Sequence, residues 1–242
     1  MGRLDLDEVD STNSEAARLA PGLTRPCWIL ARRQTAARGR RGRAWISPEG
    51  NFAATYVFRP DSGAAQAALH SFVAALALAD ALEALCGPGV TIALKWPNDV
   101  LLNGGKVAGI LLESTGQGGH LAHLSIGFGV NLADAPPPDV VEPGAVTPVS
   151  VLGETGQRID PDTFLGALAS AFARRKAEFD TGGFSATRAA WLGRAARLGQ
   201  PVVARLPTER VDGIFETLAE DGALILATPA GKRHIPAADI FF

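Results

Sequence analysis

The sequence predicts an α+β fold: a mixed β-sheet body packed with helices over residues 1–198, followed over residues 199–242 by a small β-barrel. Three observations lead there. Short β-branched and aromatic runs alternate with two long apolar helical stretches through the first four-fifths of the chain. From Gln200 onward the pattern becomes closely spaced strands with turn signals and no helical period. Finally, 47% apolar and 20% charged residues in a chain of 242 can bury a sizeable core, which excludes a disordered tract.

Taken in order, Thr12 and Glu15 are spaced as a T-x-x-E capping box, so a short helix is expected to start there and run through Arg18. Trp28 to Ala31 and Asn51 to Phe58 read as strands. Ala64 to Leu85 reads as one long helix, apolar enough to pack on a sheet. Asp80 and Glu83 interrupt it, so no membrane span is expected. Val90–Trp96, Asp99–Asn103 and Lys106–Glu113 read as three strands, with Asn103-Gly104 supplying a hairpin turn because both positions tolerate positive φ. His120 to Asn131 forms a further strand. The four prolines between Ala135 and Gly144 mark a surface loop. Asp160 caps a helix to about Phe179, and Ser185 begins another containing Trp191.

A net charge of −2 gives no global field for nucleic acid or an anionic membrane. Two cysteines, Cys27 and Cys86, fit a reducing compartment, and the acidic N-terminus has no apolar signal core, so the expected location is cytoplasmic. His120-x-x-His123 lacks companion ligands and reads as strand surface, so no metal-ligand set is expected.

Two stretches do not read as core. In QTAARGRRGRAW, Gln34 to Trp45, arginines alternate with Gly39 and Gly42; guanidinium forks and backbone amides on such a loop can wrap polyphosphate. A solvated basic loop is the bland reading, and Trp45, able to stack on a purine, weighs against it. In KWPNDVLLNGGKVAGILLES, Pro97 breaks the ladder and Asn98 and Asp99 project from a corner. Lys106 then opens an apolar strand. An edge lysine usually snorkels, but Gly109, and Gly127 and Gly129 in GFGVN, would let a ligand lie against the strands. A lysine held beside them can stabilise charge on a reacting phosphate. Together they point to an enzyme that activates a carboxylate with a nucleoside triphosphate.

STN at Ser11–Asn13, Gln34, ARGRRGRAW, KWPND, GKVAGILLE and GFGVN occur in the order seen in biotin protein ligases, and the chain resembles that family over nearly its whole length. The resemblance implies a class II synthetase/lipoate-ligase-like catalytic domain and an SH3-like C-terminal barrel. It also implies the ligase-only group, since the STN motif begins at Ser11. ATP and biotin would be substrates, with Mg²⁺ accompanying ATP. Biotin would become biotinyl-5′-AMP and then be transferred to a lysine of the biotin carboxyl carrier domain of acetyl-CoA carboxylase or a related carboxylase. No nucleic-acid or membrane partner is implied, and a homodimer is left open.

By the same resemblance Ser11, Thr12, Asn13 and Gln34 line the biotin pocket and Arg38 and Gly39 close over it, with Arg40, Lys106, Gly109, Gly127 and Gly129 also facing biotin. Arg40, Arg41, Arg43, Trp45, Asn98, Lys106 and Asn131 face the nucleotide. Lys106, Arg40 and Asp99 carry the chemistry, Asp99 orienting the incoming lysine or a cation. The sister lipoate/octanoate ligases and transferases are the alternative; their histidine-bearing glycine stretch and nucleophilic cysteine are not visible here. One departure is Ala37, where the family loop has glycine. If that position needs positive φ, alanine costs about 1 kcal/mol.

Overall fold

The computed structural model describes residues 1–117, 120–137 and 140–242; Gly118, Gly119, Pro138 and Asp139, and the side chains of Gln117 and His120, lie outside the described residues. The body is a seven-stranded sheet in the order β1 (Gly2–Val9), β2 (Cys27–Gln34), β3 (Phe52–Phe58), β7 (His120–Val130), β6 (Gly105–Gln117), β5 (Asp99–Leu102), β4 (Ile92–Lys95). Only the β1–β2 pair is parallel. β1 was not anticipated. Leu4 and Leu6 alternate with charged residues, the half-buried pattern of an edge strand.

Each side of the sheet has a separate use. On one face Trp28, Tyr56 and Phe128 pack their rings against Phe172, and Phe52 packs against Phe164. Both phenylalanine partners come from α5 (Pro161–Leu192), which Asp160 caps by accepting from the amides of Asp162 and Thr163. The two expected helices are both present within this span, separated by a kink at Gly183 (φ 70°, ψ −168°), a non-helical conformation that favours glycine. The expected helix over 64–85 is instead α2 (Ala64–Ala68) followed by α3 (His70–Cys86). This pair is long and apolar enough to cross a bilayer, yet most of it is buried in the fold, and Asp80 is held by Arg174, Arg175 and Arg194.

On the opposite face lies α1 (Thr12–Leu19), with Ala16 and Ala20 against Ile29 and Val57. Its N-cap is Ser11, one residue before the expected Thr12, and no side chain caps it. The capping box fails because the Thr12 hydroxyl is used elsewhere, donating to Gln34 Oε1, while Glu15 pairs with Arg18. A short helix α4 (Val151–Thr155), also unanticipated, follows the proline-rich loop.

The C-terminal strands β8 (Pro201–Arg205), β9 (Arg210–Leu218), β10 (Leu224–Thr228), β11 (Gly231–Ile235) and β12 (Asp239–Phe241) form an antiparallel sheet in the order β11-β10-β9-β8-β12. Among the described residues its ladder does not close between β11 and β12, so the expected barrel is open. It is fixed to the body by Trp191 against Phe215 and by the Trp96 indole N–H donating to Gly222 O (3.0 Å).

Candidate active site

The face that carries α1 is hollow where the glycines fall. Gly129 pairs with Gly109, Gly109 with Asp99, and Asp99 with Lys95, a single row across β7, β6, β5 and β4. Gly127, on the row beside it, pairs with Thr55 and Leu111. A Cβ on Gly129 would come within 2.6 Å of the Trp45 ring, and one on Gly127 within 2.6 Å of Asn13 Oδ1. The missing side chains therefore make room for Trp45 and Asn13. Over this floor lies a cavity of about 510 Å³.

One end is polar and neutral. The Thr12 amide donates to Gln34 Oε1 (2.8 Å), and the buried Thr55 hydroxyl makes a forked donation to Asn13 Oδ1 (2.7 Å) and Thr12 Oγ1 (2.8 Å). Asn13 Nδ2 donates to Glu113 Oε2 (2.7 Å) and Leu111 O (3.3 Å). Glu113 also accepts from the Arg38 guanidinium at 3.1–3.2 Å, and Arg38 reaches Ser14 Oγ at 2.9 Å.

The other end is cationic. Lys106 Nζ lies 2.7 Å from Asp99 Oδ1 and 5.7 Å from the Trp45 ring centre. The ladder between β5 and β6 skips Val107, a bulge that re-aims the strand next to Lys106. Lys95 Nζ is 3.7 Å from Asp99 Oδ2. Burial pushes the Lys95 ammonium below the ordinary lysine value, with Asp99 opposing; burial likewise lowers Arg40. Asn98 frames the corner, its Nδ2 donating to Ile110 O (2.7 Å) and its carbonyl accepting from the Ile110 amide. Asn131 donates to Val149 O (3.0 Å), while its buried Oδ1 has no partner among the described residues.

The arginine loop is tied down from the C-terminal sheet. Arg41 Nη1 and Arg43 Nη2 lie 2.8 and 2.7 Å from Asp239 Oδ2, and Arg40 Nη1 donates to Ala238 O (3.3 Å). Of the residues assigned to biotin, nucleotide or chemistry from the sequence, all line the cavity except Arg41, which faces Asp239; Gly42 beside it does not line the cavity either. Arg32 and Arg33 sit on β2 and pair with Asp7, Asp162 and Glu8, away from the cavity. Positive φ in the loop falls on Arg41 (56°) and Gly42 (72°) and not on Ala37, so alanine there carries no strain. His123, expected on the strand surface, is buried and bonded to Thr115 Oγ1 through Nδ1 (3.0 Å). Cys27 and Cys86 are both free. Among the described residues no three His, Cys, Asp or Glu side chains converge as a metal site.

Thr55, Glu113, Lys95 and Asp239 were not assigned roles from the sequence. Glu113 and Lys95 lie inside the quoted motifs, where position alone marked them. Asp239 carries no local signal, its loop partners Arg41 and Arg43 being about two hundred residues away.

A neutral polar pocket opening into a cationic chamber defines a class: proteins that join a small polar acid to a polyphosphate. Residues 7–131 match the biotin/lipoate A/B protein ligase family and residues 198–242 the biotin protein ligase C-terminal domain. The chain is 60% identical to a biotin–[acetyl-CoA-carboxylase] ligase of Paracoccus denitrificans, over 98% of this chain and 99% of that one. It is 30% identical to a bifunctional ligase/repressor of Bacillus subtilis, covering 97% of this chain and 72% of that one. Among solved structures, a biotin protein ligase from Aquifex aeolicus in complex with biotin and ATP superposes with a TM-score of 0.80 at 26% identity, covering 99% and 97% of the two chains. The chain belongs to the biotin protein ligase family.

Proposed function

We propose that the chain is an ATP-dependent ligase that activates biotin as biotinyl-5′-AMP and transfers it to one lysine of a biotin carboxyl carrier domain. The carrying observation is the junction of two chemistries in one cavity: the Thr12–Asn13–Gln34–Thr55 pocket, and the Lys106–Asp99 pair with Arg40 beside it. The ligase named from Paracoccus denitrificans supports acetyl-CoA carboxylase as the source of the carrier. The match to the biotin-type C-terminal domain favours biotin over lipoate. Its place of action is the cytoplasm, where carboxylases and ATP meet.

The pocket has a defined polarity. Both Asn13 Nδ2 protons are used, on Glu113 and Leu111 O, so toward a ligand Asn13 offers the remaining lone pair of Oδ1. Gln34 Oε1 is occupied by Thr12, which leaves Nε2 to donate. One acceptor and one donor suit a ureido ring, which has N–H donors and a carbonyl that must be paired when buried. Arg38 and Gly39 close over that ring, while Gly127 makes room for Asn13 to reach it and Gly109 and Gly129 make room for Trp45.

In the first step a biotin carboxylate oxygen attacks the α-phosphorus of MgATP. The bond to the bridging oxygen breaks, and its electron pair leaves with pyrophosphate. Lys106 lies between carboxylate and α-phosphate and stabilises the charge that builds there. Arg40 and Arg43 hold phosphate oxygens, Trp45 and Asn131 hold the base, Asn98 frames the corner, and Arg41 joins once it is released from Asp239. In the second step the carrier's ε-amine attacks the anhydride carbonyl and AMP leaves; Asp99 orients that amine. Mass spectrometry of a purified carrier domain with MgATP and either biotin or lipoate tests the assignment. A biotin-sized gain dependent on ATP is expected; a gain with lipoate alone would overturn it.

A further inference from the structure

The phosphate chamber holds one more cation than the steps above use. Lys95 is the last residue of β4 and is only 9% exposed. Its ammonium makes no hydrogen bond among the described residues, the nearest carboxylate oxygen being Asp99 Oδ2 at 3.7 Å. Asp99 is already engaged by Lys106 at 2.7 Å through its other oxygen. The ring of Phe242 lies 5.7 Å from Nζ, a weak substitute for an anion. Burying a cation without a full partner is costly, and an apolar side chain of similar length would fill the space at no such cost. Lys95, Lys106 and Arg40 therefore face two carboxylates in the chamber, Asp99 and Asp239, and Asp239 is already held by Arg41 and Arg43.

Position within the row gives the missing anion a place. Gly129, Gly109, Asp99 and Lys95 lie side by side in that order. Strands are roughly 4.8 Å apart, so Lys95 stands about 10 Å beyond the β6 floor, on the side away from the biotin pocket. The α-phosphate belongs beside Lys106, and the β- and γ-phosphates extend past Asp99. We infer that Lys95 is the leaving-group residue of the first step: it holds the β- and γ-phosphates of ATP and takes up the charge that passes to pyrophosphate when the bond to the α-phosphorus breaks. The inference rests on the ligase reading given above. It assigns Lys95 to adenylation alone, because pyrophosphate has gone before the carrier lysine arrives.

The rival role is positioning, in which Lys95 only steadies Asp99; both half-reactions would then suffer. The experiment separates them. Lys95→Met and Lys95→Arg are compared with the unaltered full-length protein in biotin-dependent ATP–pyrophosphate exchange, in transfer from chemically prepared biotinyl-5′-AMP to the carrier domain, and in calorimetric titration with pyrophosphate. Lys95→Met is expected to lower exchange about 100-fold, the scale for one lost electrostatic stabiliser. It should weaken pyrophosphate binding about 30-fold and leave transfer within threefold. Lys95→Arg should recover at least tenfold of the lost exchange. Equal loss in both half-reactions, or unchanged exchange and pyrophosphate binding, overturns the inference. If Lys95→Met does not fold, Lys95→Gln and the pyrophosphate-induced rise in Tm of the unaltered protein carry the test; a rise retained in Lys95→Gln refutes it. An unaltered protein that exchanges nothing with biotin would instead refute the ligase reading.

Discussion

Replacing Gly127 by alanine perturbs the pocket at its tightest point. The added Cβ would lie 2.6 Å from Asn13 Oδ1, 3.1 Å from its Cγ and 3.2 Å from its Nδ2. That is about 0.8 Å short of ordinary contact. Gly127 lies within a ladder paired on both sides, so the backbone has little room to retreat and Asn13 must move. Asn13 is held by Thr55 at 2.7 Å, Glu113 at 2.7 Å and Leu111 O at 3.3 Å. The longest of these breaks first, and the two short ones stretch. A neutral hydrogen bond contributes about 1 kcal/mol and one to a carboxylate about 1.5–3 kcal/mol. Allowing for partial relaxation, about 2 kcal/mol of pocket organisation is lost, or about 30-fold in biotin affinity. Calorimetric titration of biotin into Gly127→Ala reads this directly. Gly22→Ala, whose Cβ meets nothing within 4 Å, serves as the control and should bind as the unaltered protein does. A folded Gly127→Ala binding biotin within threefold of normal would refute the placement of Asn13 against the ligand.

Lys106→Ala should lower biotinyl-adenylate formation about 100-fold, since it removes the cation nearest the reacting centre; a single-turnover rate near normal would remove that role from Lys106. Asp239→Asn should free the Ala36–Ala44 loop, because a neutral amide loses the charged hold on Arg41 and Arg43. A loss of about 1.5 kcal/mol predicts ligand-free trypsin cleavage there about tenfold faster, and unchanged cleavage would contradict it. Burial raises the Asp239 carboxyl, but Arg43, Arg41 and Arg40 hold it below the ordinary value. The tether is therefore complete above about pH 4 and is lost as pH falls through the lowered value. His70→Phe should flatten the acid side of the stability curve. Burial lowers the His70 pKa, so the unfolded chain binds the proton first and stability falls as pH drops below about 6.5. Thermal melts from pH 5 to 8 with the same slope in both proteins would rule this out. Phe58 and Phe179, which already pack on His70, should accept the added ring.

Sequence reasoning reached furthest where local chemistry is costly. A lysine, a proline and two polar residues between apolar strands have few uses other than a site, and Lys95, Pro97, Asn98 and Asp99 form one wall of the cavity while Trp96 turns away to Gly222. The Asn103-Gly104 turn was legible because both residues must take positive φ, and they do, at 50° and 88°. It failed where a side chain had two local uses. Thr12 fits a cap by spacing, but the buried network with Gln34 and Thr55 takes its hydroxyl. β1 escaped notice because a charged edge strand resembles a loop in composition. The Arg41–Asp239 and Arg43–Asp239 pairs join residues 198 and 196 positions apart, which no local pattern encodes. Lys95 was visible as a letter in the motif, but its want of a hydrogen-bond partner among the described residues emerges only once the sheet is assembled.

That weakly partnered lysine is tolerated because strand β7 and its neighbours do two jobs on opposite faces. Ile126, Phe128 and Val130 alternate with Gly127 and Gly129. The first set is buried on the helix side, with Phe128 against Trp28 and Phe172. The second set gives up its side chains to make a floor. Glycine in a strand interior costs about 0.5–1 kcal/mol relative to alanine, and a buried unpaired cation costs more. A free-standing sheet could not carry both. Here the opposite face of the same strands is covered by α3 and α5, and its aromatic packing offsets the loss without any adjustment on the site side. The arginine loop is treated differently: it is held by ion pairs, Arg41 and Arg43 to Asp239 in a separate sheet and Arg43 to Glu142. The rigid part of the site thus draws its stability from the core directly beneath it. The arginine loop draws its hold from ion pairs with Asp239 instead.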